Sequence, residues 1–211
     1  MNNAFLLYAS YLGTPMLMPV LRLFAAVNNR ILLICRWVAS MALATMVVVI
    51  LLQVFFRYVL NDAMAWPDEF ARFLMLWMAC LMAPSAFRWG GFVAIDMFLR
   101  YLSPLAARFF AIVLLLMSGT VLWVGIQHGY THTMGFGGSF TSSSLRLPLD
   151  LIGFEMVRFK LRYMYASLFL GTGLMLVVNV ELILRMVMHI WDKDAVLPVT
   201  DQPTTQIMEA E

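Results

Sequence analysis

The chain has 211 residues, 63% of them apolar and only 12% charged, and its mean hydropathy is +0.85. Soluble domains run at about 45–50% apolar and about 25% charged, so this composition excludes a soluble globular domain and requires a membrane protein. A net charge of +2 with no basic cluster argues against nucleic acid as a partner.

In chain order, Ala4 to Leu21 is apolar but contains Gly13, Pro15 and Pro19, residues that break helices. Residues 1–30 therefore read as a cytoplasmic, interfacial segment lying along the membrane, with Arg22 and Arg30 at the headgroups. A fifth span is the competing reading. Arg22 is the first cationic side chain, so a cleaved secretory signal, which needs cations ahead of its apolar stretch, is not expected.

Residues 31–190 form the expected transmembrane domain. A spanning helix needs about 20 mostly apolar residues, and four stretches qualify: 37–56, 67–87, 105–126 and 163–184. The fold class is thus all-α, an integral membrane four-helix bundle. Cys35 and Cys80 fall inside apolar runs with no metal-ligand spacing and read as inert buried thiols. Asn179 and Glu181 lie close to the end of the fourth span.

The connection 129–162 opens with "GFGGSFTSSS", which lacks the GK[ST] of a phosphate-binding loop. Its later part, "LDLIGFEMVRFKLRYMY", alternates apolar clusters with Glu155, Arg158, Lys160 and Arg162. That pattern suits an amphipathic helix on the membrane surface before the last span. Residues 191–211 are polar, contain Pro198 and Pro203, and read as a disordered tail.

Lysines and arginines set orientation, because they collect on the cytoplasmic side. With the N-terminus inside, eight of the 14 fall inside and six outside. Two of the outer six, Arg57 and Arg72, face Asp62, Asp68 and Glu69 in their own loop, so both termini are expected in the cytoplasm.

The stretch "RYVLNDAMAWPDEFARFLMLW" concentrates charge between two spans. Pro67 suits a first helical position, where its missing N–H would be unpaired anyway. Asp68 and Glu69 then fall in the first turn, where the helix dipole favours anions by about 0.3–1 kcal/mol each. Arg72 is within helical reach of both carboxylates. Trp66 and Trp77 bracket the site, and Trp66 suits the aromatic belt at the membrane surface. Spacing alone is equally satisfied by an ordinary helix start with snorkelling charges. Arg57, closing the first span, would share the depth of Glu69 in an antiparallel pair, and the expectation is a structural clamp between them.

This stretch resembles the signature of the small membrane subunit of TRAP transporters, the tripartite ATP-independent periplasmic carriers (DctQ-like family). The family shows an Arg-Tyr pair, a short loop, a Trp, two acidic residues, an Arg and a further Trp; here these are Arg57-Tyr58, Trp66, Asp68-Glu69, Arg72 and Trp77. A second family element is similar to "RWGGFVAID", which keeps Arg88, Gly90, Ile95 and Asp96 but has Phe92 where histidine is usual. Before the fourth span Pro148 is present, while Tyr163 and Tyr165 come late, as after an insertion.

The resemblance, covering about residues 31–187, implies a partner role. In such carriers a periplasmic binding protein delivers an organic acid, and a large permease subunit moves it inward by a sodium-driven elevator motion. The small subunit holds the large one in the inner membrane, in contact with lipid. The resemblance implies no cofactor and no catalytic, substrate-binding or metal-binding residue in this chain. Ala39, Ser40, Ala42, Ala44 and Thr45 would permit close helix approach, within the bundle or against a partner.

Other chemistries fare less well. His128 and His132 have a metal-ligand spacing if helical, but Gly129 and the glycine loop beyond argue for loop-end histidines without metal. Haem would need histidines facing each other across the bundle, and His128 and His189 fall near opposite surfaces. Ser118 has no histidine at its depth to serve as base. A stand-alone homodimeric carrier is the alternative function, but it would want an acid deep in the membrane. Glu69 is too shallow, and Glu181 lies near the far end of its span.

Overall fold

A computed structural model describes residues 3–62, 66–90, 103–135, 140–147 and 157–191. Four helices carry the architecture: α1 (Asn3–Tyr58), α2 (Trp66–Arg88), α3 (Pro104–Met134) and α4 (Arg162–Trp191). Each contains a stretch long and apolar enough to cross a membrane, and large apolar side chains of all four face outward. The chain is an all-α four-helix membrane bundle, with one short hairpin between α3 and α4. The expected tail 191–211 lies almost wholly outside the described residues.

The expected break at Gly13, Pro15 and Pro19 does not occur: α1 is one helix of 56 residues, about 84 Å long at 1.5 Å per residue. A proline forfeits one backbone bond and strains a turn at about 3 kcal/mol. Unwinding the whole segment would forfeit several backbone bonds instead of one. The helix ends where Asn61 takes a left-handed conformation (φ 50°) and the Asp62 N–H closes back on the Phe56 carbonyl; asparagine is among the few side chains that tolerate this turn.

α2 begins as its sequence predicts, with Pro67 buried in the first turn and Asp68 and Glu69 at the dipole's positive end. α3 starts at Pro104 and continues past Ile126, through Gly129, to Met134. Two contacts hold that last stretch: Thr133 Oγ1 donates to the Gly129 carbonyl (2.7 Å), and the Gly135 N–H donates to Thr131 O (2.7 Å).

The segment before α4 departs from expectation. Val157–Lys160 is a strand (β2), paired antiparallel with Thr141–Leu147 (β1) in the register Arg146↔Arg158 and Leu147↔Val157. Residues 149–156 of the expected amphipathic helix lie outside the described residues. Serine and threonine in "TSSSLRL" compete poorly for helix. Val157 and Phe159 favour a pleated strand, so pairing satisfies both backbones at once. The hairpin sits against α2.

The helices form a row rather than a closed ring: α1 packs on α2, α2 on α4, and α4 on α3, with α1 also reaching α4. The core lies where Cys35 and Ala39 of α1 meet Leu81 of α2, with Trp77, Met78 and Leu174 against them. Close approach depends on small residues. A methyl group at Gly171 would lie 2.8 Å from Cys80 Cβ and 2.9 Å from its carbonyl oxygen. Pro84 has no N–H to give that carbonyl, so the Gly171 Cα–H points at an acceptor the helix has left open, a weak but recurring contact between helices. At the other seam, a Cβ on Gly129 would meet the Phe169 backbone at 2.9 Å.

Candidate interface and buried ionic cluster

The two tryptophans of the charged stretch are the ends of one aromatic ladder on α2. Trp66, Phe70, Phe73 and Trp77 follow each other with ring centroids 6.2–6.4 Å apart, the helical spacing at which side chains meet. Trp77 is half-buried, and its Nε1 donates to the Tyr163 carbonyl at 3.2 Å, tying α2 to the first turn of α4. Asp68 and Arg72 are exposed, and Glu69 is half-buried one turn into α2. Arg57 is exposed too, its guanidinium 5.9 Å from the Tyr58 ring centre. Arg57, Asp68 and Arg72 thus form an exposed rim, with Trp66 and Glu69 half-buried beside it. Asp96 lies outside the described residues.

The charges buried between helices are at the opposite end. Glu181 of α4 is fully buried. Its Oε1 accepts from Arg88 Nη2 at 2.7 Å and from Arg185 at 2.9 Å (Nε) and 2.7 Å (Nη2). Its Oε2 accepts from Asn28 Nδ2 of α1 at 2.6 Å. Arg88 Nη1 also donates to Asn29 Oδ1. One carboxylate thus joins α1, α2 and α4, and Arg185 one turn further along α4 completes its cage. Nearby, Arg36 lies over the Trp89 ring at 5.1 Å, a cation–π contact.

Of the described residues expected at an interface, Arg88 alone enters this cluster. Glu181 and Asn28 were not read as its partners, because 93 and 153 residues separate them from the groups they meet. A signal was available: an acid in an apolar helix demands a cation at its own depth, and Arg88 and Glu181 both lie near helix ends that share one membrane side in an up-and-down bundle.

A second polar contact lies deeper. Asn179 is buried and its Nδ2 donates to Ser118 Oγ of α3 at 2.6 Å. This gives Ser118 an amide partner rather than a base. Among the described residues no three His, Cys, Asp or Glu side chains gather as a metal-ligand set.

Fold and cluster define a multi-pass membrane protein whose buried charges hold helices to one another. Residues 46–189, more than half of the chain, match the family described as Tripartite ATP-independent periplasmic transporters, DctQ component, and the chain belongs to that family. It is accordingly a component of a transporter, as the resemblance of its charged stretch implied. No curated protein matches it.

Proposed function

We propose that the chain is the small permease subunit of a TRAP transporter, a scaffold that holds the large permease subunit in the bacterial inner membrane. The complex carries out sodium-driven symport of an organic acid delivered by a periplasmic binding protein. Family membership supports the assembly. The observation that carries the scaffold role is Glu181, whose carboxylate is fully buried and engaged by Arg88, Arg185 and Asn28. An acid caged this way fixes helix register; a carrier needs its acid free to exchange ions or protons.

The end bearing Arg36, Arg88 and Arg185 is the cytoplasmic one in this reading, with both termini on that side. Arg57, Trp66, Asp68, Glu69 and Arg72 on the rim, Trp77 inward of them, and Asp96 beyond the opposite end of α2 supply the positions at which the partner subunit is met or the bundle clamped.

Reconstitution tests the proposal. Liposomes holding this chain alone should show no sodium-dependent uptake, and adding the large permease subunit and its binding protein should restore it. Uptake by the chain alone would favour the homodimeric carrier instead, and failure to co-purify with the large subunit would remove the scaffold.

A further inference from the structure

The unbroken end of α3 brings His128 and His132 onto one face. Their rings lie side by side, centroids 6.4 Å apart and planes inclined by 25°. Both side chains are exposed. We propose that His128 and His132 form a two-histidine site for a divalent transition-metal ion such as zinc, nickel or copper.

Three observations support it. Exposed imidazoles one helical turn apart can be turned onto one ion by side-chain rotation alone, and imidazole nitrogen suits these borderline ions over calcium or magnesium. The backbone between the two is also held in place. Gly129 is pressed against the Phe169 backbone, Thr133 Oγ1 caps the Gly129 carbonyl, and the Arg162 Nε reaches across from α4 to the Thr133 carbonyl at 3.1 Å. His132 is further braced by the Tyr165 ring of α4 at 5.5 Å. A ligand pair on a stiff backbone loses less entropy on binding.

Depth is the third. α3 has 31 residues, about 46 Å at 1.5 Å each against a hydrocarbon core of about 30 Å. About ten residues must therefore lie outside the core. Gln127, His128, Thr131 and His132, all exposed, mark the polar end that emerges. Two protein ligands leave coordination positions for water or for a donor from another chain.

The chain has only three histidines, so background binding is low and the test is direct. The full chain in lipid nanodiscs, free of any histidine tag, is titrated with Ni(II). Expected is one ion per chain, with affinity at least about tenfold lower in either His128→Ala or His132→Ala and unchanged in His189→Ala. Cu(II) loading should give an electron paramagnetic resonance spectrum with two coupled nitrogens. On the unsubstituted chain, Ni(II) should protect His128 and His132 from diethyl pyrocarbonate and leave the modification of His189 unchanged. Binding that survives the double substitution, or protection shared equally by all three histidines, overturns the site.

Discussion

The carboxylate of Glu181 and the guanidinium of Arg88 meet at 2.7 Å with side-chain exposures of 0% and 2%, so neither charge has water to fall back on. Breaking such a pair by removing one partner leaves the other uncompensated, at about 3–5 kcal/mol. Glu181→Gln should therefore lower the stability of the detergent-solubilised chain by roughly that amount in denaturant unfolding. A loss below about 1 kcal/mol would show the cluster to be exchangeable with solvent.

Replacing Arg88 and Glu181 together by Met and Leu, with Arg185→Leu, should cost less than Glu181→Gln alone. The triple variant strands no charge, and apolar substitutes of similar size often match a buried ionic group. A triple variant less stable than the single one would mean that Asn28 and Asn29, left without partners, dominate the balance.

Two glycines two residues apart on α4 give a controlled comparison. Gly171→Ala forces a methyl group within 2.9 Å of the Cys80 carbonyl, whereas Gly173 has nothing within 4 Å. The first should destabilise by about 1–3 kcal/mol through overpacking. The second should be neutral or slightly stabilising, since alanine is the better helix former. Equal effects would remove the close α2–α4 seam.

Asn179 and Ser118 should be coupled. Hydrogen bonds between membrane helices contribute about 0.6 kcal/mol on average and up to about 1.7. A double-mutant cycle of Asn179→Ala with Ser118→Ala should return a coupling in that range, and additive losses would mean the two do not bond.

Much of this was legible in the residues. Composition and run length give four membrane helices, and Pro67, Asp68 and Glu69 mark the start of α2 correctly. What stayed hidden follows from context. Gly13, Pro15, Pro19 and Gly129 are breakers by intrinsic propensity, but propensity is a weak prior that context overrides, and Gly129 is held against the Phe169 backbone. "VRFK" alternates over too few residues to separate a strand from an amphipathic helix turn. The charge-rich loop drew the eye to Arg57 and Glu69, while the fully buried charge is a lone glutamate whose cation at the end of α2 comes 93 residues earlier.

The row-like order of the helices has a consequence for biosynthesis. α1 and α2 are neighbours in both sequence and space, so they can pair as soon as both have left the translocon. α3 comes next off the ribosome, yet its main neighbour is α4, the last helix to be made. α3 therefore gains its main neighbour within the chain, and Arg88 its carboxylate, only once α4 has been made.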